Sequence, residues 1–386
     1  MSKNIKLLYL VGFFTSFRFY SPILVIYFSQ VTGSYASAMT IIAADKIFQA
    51  IFEIPTGMFS DLIDRKNTLI LSGISAILAI SIWAFSHNFY FLLFGTLFSG
   101  LAGALTSGND DALLYDSLKE IGKENEYHNY YSKLGSFQLI AFGTSAFLGG
   151  FLAVTSFQLA FWVSVVFRFI ALLTSLFVHN PPQVKKIEFN PYEHIKEALK
   201  IFITNPKLRL LSISNAITNS VSESTFVFAP VFVNTLWPIW AVGIMRSGNG
   251  FANAFSYFIS GKVISRFKDL NALIGQFIAS RIVLITAYAI PMIISPILMV
   301  FTSLIYGIGQ VSQKTLLQKE FTDHQRATMG SLDSLLGSIM FAIVSVSIGY
   351  FADIIGPRNI LLLGEILLLP VLFIYWRLFL HHKATV

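Results

Sequence analysis

Twelve apolar runs, each long enough to cross a bilayer, leave this chain little choice but to fold as a bundle of membrane helices. They cover approximately residues 7–30, 36–60, 67–86, 89–118, 131–154, 157–178, 208–234, 239–264, 270–288, 292–316, 327–352 and 359–380. A helix needs about 20 residues to span about 30 Å of hydrocarbon, and only a segment that pairs its own backbone groups is stable there. Composition points the same way: 55% of residues are hydrophobic and only 12% charged, more apolar surface than a water-facing fold can hide. The expected fold class is an all-α integral membrane protein with 12 transmembrane helices. The first run is read as a retained helix, because Arg18 stands in its middle and no small-residue cleavage site precedes the second run.

Basic residues orient the bundle. One set of alternate loops and ends collects Lys and Arg from Lys3, Lys6, Arg65 and Lys66 through to Arg377 and Lys383, whereas the other set receives only Arg358. Basic residues favour the cytoplasmic face, so both termini are expected in the cytoplasm of a prokaryotic plasma (inner) membrane. The net charge of +7 follows from that asymmetry and from the anionic surface it faces. No basic tail or nucleic-acid module accompanies it, and nucleic acid is not an expected partner. The chain has no Cys, and its seven His are scattered over expected loops and ends; neither a thiol nor a metal centre is expected.

The chain also repeats itself. Six runs lie in 1–180 and six in 207–386, with a polar linker at 181–206 that opens on Pro181-Pro182. Within the linker, Asn190-Pro191 followed by Glu193 reads as a helix start, and Tyr192, Ile195, Leu199 and Phe202 fall on one face of an amphipathic surface helix. In each half the second run leads into a Gly-plus-charge hairpin: Gly57 to Lys66 in the first, and a degenerate Gly261 to Asp269 in the second. Two six-helix halves related along the membrane normal are a known transporter plan.

The hairpin Gly57-Met-Phe-Ser-Asp61-Leu-Ile-Asp64-Arg65-Lys66 resembles the loop signature of the major facilitator superfamily, roughly Gly-x-x-x-Asp-x-x-Gly-Arg-Lys, with Asp64 where that family usually has Gly. The resemblance implies a conformational latch made of Gly57, Asp61, Arg65 and Lys66, in which Asp61 caps a helix of the opposite half and Arg65 pairs with an acid of the fourth run, here Asp116. Two motifs of the drug:proton antiporter members are altered: Thr96 stands where they carry Arg, and Ser145-Ala146 replaces a Gly-Pro ahead of Gly149-Gly150.

Ionisable and amide residues at membrane depth are costly and tend to face a cavity or a partner. In the first half these are Arg18, Asp45, Gln49, Glu53, Asp110, Asp111 and Arg168, with Asp45, Gln49 and Glu53 at four-residue intervals on one face. In the second half Asn215, Asn219 and Glu223 form a stripe, Arg246, Asn249, Gly250 and Asn253 share a face, and Gln276, Arg281, Gln310, Gln313 and Asp333 complete the set. No Gly-x-x-x-x-Gly-Lys-Ser/Thr loop is present, which sets aside direct use of ATP, and no reactive constellation at membrane depth points to an enzyme. The reading is a monomeric secondary transporter that moves a small organic solute by alternating access, needs no cofactor beyond a proton gradient, and works as a proton-coupled exporter. Uptake or export of an anionic metabolite or metal chelate, with Arg18 and Arg246 as anion contacts, or uniport without protons, is the alternative.

Overall fold

The computed structural model describes residues 3–182, 206–318 and 326–384, and side chains are not described at 54, 57–63, 206–207, 318, 326–333 and 378–384. The linker helix expected from Asn190 onward therefore lies outside the described residues, as do the side chains of Gly57, Asp61 and Asp333. In the first half α1 (Lys3–Thr15), α2 (Leu24–Thr32), α3 (Tyr35–Ile63), α4 (Arg65–Phe85), α5 (Phe89–Thr106), α6 (Asn109–Lys119), α7 (Tyr127–Thr155) and α8 (Phe157–Leu176) follow one another. In the second, the order is α9 (Pro206–Leu236), α10 (Ile239–Phe267), α11 (Asp269–Ala289), α12 (Ser295–Gln318), α13 (Arg326–Ile355), α14 (Pro357–Leu367) and α15 (Val371–Ala384). The protein is an all-α membrane protein. Among the described residues, eight helices are long and apolar enough to cross a bilayer; the runs outside that group are the first two of each half, which carry Arg18, Asp45 to Glu53, Asn215 to Glu223 and Arg246 to Asn253.

Three of the expected continuous helices are broken. Arg18 does not sit within a helix, as its place in the first run implied, but in a non-helical stretch between α1 and the short 3-10 turn Ser21–Ile23. Pro22 is the cause, since its ring lacks an N–H and crowds the carbonyl four residues back, which is that of Arg18. Side chains satisfy the backbone this leaves bare: Ser145 Oγ accepts from the Arg18 N–H at 3.1 Å and Ser164 Oγ from the Phe19 N–H at 3.0 Å. Only protein-lined sites tolerate such backbone at membrane depth. The fourth run breaks at Ser107 and Gly108, where Gly108 takes φ +71°, so Asp110 and Asp111 open a new helix instead of lying inside a long one. The last run breaks between Leu367 and Val371, where Pro370 stands.

The chain divides into two compact units, 1–185 with 237–247, and 186–236 with 248–386. The stretch 237–247, the start of the eighth run, thus goes with the first unit, not with the half expected from its position. Ile239 packs on the Phe17, Phe19 and Ile23 cluster, and Trp240 stacks on Phe151 with ring centroids 5.7 Å apart.

Each unit is built around a close contact between its second and fourth segments. A Cβ added to Gly100 of α5 would lie 2.5 Å from Phe48 Cβ of α3, and one added to Gly307 of α12 would lie 2.7 Å from the Tyr257 nitrogen of α10. Only glycine admits that approach. The repeat extends to the connections: α3 joins α4 through Asp64 alone (φ 106°, ψ 155°), and α10 joins α11 through Lys268 alone (φ 67°, ψ 156°). The second hairpin has lost the sequence pattern of the first but kept its backbone turn.

Candidate functional site

The first unit gathers four charges. Asp45 of α3 takes a hydrogen bond from Ser99 of α5 and lies within Coulombic reach of Arg18 and Lys46. Arg168 of α8 lies within reach of Arg18, Tyr20 and Asp110, and Asp110 in turn within reach of Arg168 and Asp111. Asp45, Arg18, Arg168 and Asp110 therefore form a chain of two acids and two bases, contributed by two helix breaks and two intact helices. Among the described residues, one oxygen of Asp45 and one of Asp110 are buried with no hydrogen-bond donor on them, and Arg168 Nε is buried with no acceptor. Arg18 itself is exposed. Glycine makes the arrangement possible: a Cβ on Gly149 would stand 2.0 Å from the Phe19 carbonyl oxygen, so α7 touches the broken backbone directly.

Other expected residues take separate positions. Gln49 lies against Gly103 of α5 and Glu53 is half-buried one turn further on. Asp111 points about 100° away from Asp110 around α6, is exposed, and lies within Coulombic reach of Tyr127 and Tyr131. Arg65 and Asp116 are brought together, Nε to Oδ2 at 2.7 Å, with side-chain exposures of 11% and 9%; Asn109 adds a bond to the Arg65 carbonyl at 3.2 Å. Asp64 acts locally, accepting from the Asn67 N–H at 2.8 Å and from Asn67 Nδ2 at 3.1 Å. Lys66, beside it, is half-buried. Thr96 is fully buried, and its hydroxyl accepts from Trp83 Nε1 at 3.3 Å and donates to the Leu92 carbonyl at 2.8 Å; an Arg there would have to displace Trp83.

The second unit encloses a cavity of about 530 Å³ between α9, α10, α11, α12, α14 and α15. Asn219 donates to Asn215 at 2.6 Å, Gln310 donates to Asn219 at 3.0 Å, and Ser303 donates to Asn249 at 3.1 Å. Asn219, Glu223, Asn249, Asn253, Gln276 and Gln310 all line the cavity, whereas Arg246 does not: it is buried in the stretch that belongs to the first unit. The expected face of Arg246, Asn249 and Asn253 is divided accordingly. Reading the sequence missed Glu365, which is 1% exposed, forms an ion pair with Arg281, and lines the same cavity. Its signal was available, as a lone acid within Leu361-Leu-Leu-Gly-Glu365-Ile-Leu-Leu-Leu.

The family model of the Major Facilitator Superfamily matches residues 7–345. The chain belongs to that superfamily. This major facilitator protein is 23% identical over 323 residues to the tetracycline resistance protein, class B, of Escherichia coli, a match covering 79% of this chain and 78% of the relative. It is 21% identical over 369 residues to the uncharacterised MFS-type transporter YxaM of Bacillus subtilis strain 168, covering 90% of each. Among solved structures, the nucleoside transporter NupG superposes with a TM-score of 0.82 at 14% identity over 97% of this chain and 99% of NupG. A D-xylose-proton symporter superposes with a TM-score of 0.73 at 14% identity over 96% of both chains. Such structural likeness establishes the fold, and the family makes the protein a transporter of small molecules and not an enzyme.

Proposed function

We propose that this major facilitator protein exports a small organic solute from a prokaryotic cell in exchange for protons, by alternating access between two six-helix halves whose termini both face the cytoplasm. The observation that carries the reading is the first-unit chain Asp45, Arg18, Arg168 and Asp110. A carboxylate at membrane depth keeps its charge only while a cation stays near it. Arg18 stands on backbone that is not locked into a helix, so its distance from Asp45 and from the Arg168 and Asp110 pair is free to change between conformations. When Arg18 withdraws, Asp45 takes up a proton; when it returns, the proton leaves. The sequence similarity to a tetracycline resistance protein supports the outward direction and an organic cargo. Arg65 with Asp116, joined by Asp61, act as the latch that holds one of the two states.

Proteoliposomes presented with a panel of solutes, with and without an imposed pH gradient, test this reading. Asp45→Asn, Asp110→Asn and Arg18→Ala are each expected to abolish gradient-driven transport, while at least one carboxylate variant still exchanges solute across the membrane. Full gradient-driven accumulation in every single carboxylate variant overturns proton coupling at this site.

A further inference from the structure

The second unit holds a charged pair that the coupling chain of the first unit does not use. Arg281 of α11 and Glu365 of α14 form an ion pair on the wall of the 530 Å³ cavity, with residue exposures of 6% and 1%. Such a pair gives up the hydration of both charges and recovers only their mutual attraction, so on stability grounds alone two apolar residues would serve as well. Its guanidinium is also not saturated. Among the described residues Arg281 Nε has no acceptor, and Gln313, 4% exposed on the same wall, leaves Nε2 without one. Buried donors lacking acceptors are uncommon in folded proteins, and here two of them border one cavity. Phe226 and Phe277 supply apolar wall beside them, with the Arg281 guanidinium 5.3 Å from the Phe277 ring centroid. Unmatched N–H donors next to a fixed cation, flanked by aromatic rings, fit an oxyanion carried on an apolar body.

We propose that this cavity binds the carboxylate of a small organic solute on Arg281, and that Glu365 takes up one proton as it does so. The inference names a chemical group of the cargo and sends one proton outward with it, so exchange at Asp45 and Asp110 has to return more than one proton per cargo; it rests on the transporter reading only for calling the occupant cargo. The charge balance fixes the stoichiometry. Before binding, the site holds one cation and one anion. An incoming carboxylate that takes the guanidinium would leave Glu365 ionised, buried and without its partner, and a carboxylate in that position is neutral instead. One O–H bond forms on Glu365 with a proton from water, no bond to the solute is made or broken, and the site again holds one cation and one anion. Among the described residues that line the cavity with Glu365, α11 presents Arg281 and Tyr288, α15 presents Tyr375, α9 presents Glu223, and α12 presents Tyr306. Among the described residues Glu223 is the one other acid on the cavity wall, and the test has to separate it from Glu365.

Sodium benzoate is the probe, titrated calorimetrically into the full-length protein in detergent with no gradient. The bound state holds one more proton than the free state, so affinity falls about tenfold for each unit of rising pH. Titrations in buffers of different ionisation heat are expected to show one proton taken up per benzoate, a measurement that needs no variant. Glu365→Gln, which resembles the protonated acid, should bind benzoate with no pH slope; Glu223→Gln should keep the slope, and Arg281→Ala should lose binding. Binding that ignores pH, absence of proton uptake, survival of binding in Arg281→Ala, or transfer of the slope's loss from Glu365→Gln to Glu223→Gln overturns the proposal. Because no transport is measured, failure here leaves proton-coupled export standing, and failure of the liposome experiment leaves this site standing.

Discussion

Replacing Lys268 with glycine should stabilise the protein, although it removes a side chain and adds no contact. Lys268 connects α10 to α11 with φ 67° and ψ 156°, exposed to solvent, and its side chain caps neither helix. The backbone has no freedom to relax: the Lys268 N–H is bonded to the Ile264 carbonyl at 2.8 Å, and its own carbonyl accepts from the Ala272 N–H at 3.0 Å. That φ,ψ region is open almost only to glycine, and a residue with a Cβ held there costs about 1–3 kcal/mol. Glycine gives back about 0.4–1 kcal/mol through the greater freedom of the unfolded chain. The net gain is about 1 kcal/mol, which in a chain of 386 residues raises the melting temperature by roughly 1 °C. Lys268→Ala is the control, because it removes the charge and keeps the Cβ. At the matching turn, Asp64→Gly relieves the same strain and loses the cap on Asn67, which with glycine as the replacement costs only about a few tenths of a kcal/mol, so it should also stabilise, by somewhat less than Lys268→Gly. Thermal unfolding in detergent, followed by intrinsic fluorescence, reads all three. A melting temperature for Lys268→Gly no higher than that of Lys268→Ala would show that the turn is not strained and would refute the reasoning.

Gly149→Ala should distort the α1 break, because its Cβ would stand 2.0 Å from a backbone oxygen; a loss of about 1–3 kcal/mol in thermal unfolding is expected, against a change within about 0.5 kcal/mol for Gly275→Ala, which meets nothing within 4 Å. Arg65→Ala and Asp116→Ala should be strongly non-additive, with a coupling of about 2 kcal/mol in a double-mutant cycle. Since the chain has no Cys, a single introduced cysteine can report in parallel whether Asp116→Asn shifts the balance between inward- and outward-open states.

The fold class was legible because hydrocarbon imposes so few solutions: run length, the placement of Lys and Arg, and one charged hairpin carried most of it. Resemblance at the hairpin reached Arg65 and Asp116 across 51 positions. Periodicity failed where helices break. It placed Arg18, Asp110 and Asp111 on continuous helices, although Pro22 and Gly108 stood beside them as warnings. The cavity residues Asn219 and Gln310, and Asn215 beside them, were found individually, since an amide at membrane depth is conspicuous, but the bond from Gln310 to Asn219 depends on how α9 meets α12, which no local pattern encodes. Arg246 shows the same limit from the other side: it shares a helix face with Asn249 and Asn253 yet belongs to a different unit.

The interruption between α1 and α2 has a further consequence, which concerns where the protein is able to bend. A continuous helix resists bending because each added degree stretches several hydrogen bonds of its ladder. At Arg18 and Phe19 that ladder is already absent, and two serine hydroxyls hold the backbone in its place. A serine oxygen moves with rotation about its own Cα–Cβ bond and so follows a shifting N–H in a way that a carbonyl fixed in a helix ladder cannot. The first membrane segment thus behaves as two rods on a compliant joint, and the arginine sits on the joint and not on either rod. Small rotations of one rod against the other are thereby converted into displacement of a full positive charge relative to Asp45 and Arg168.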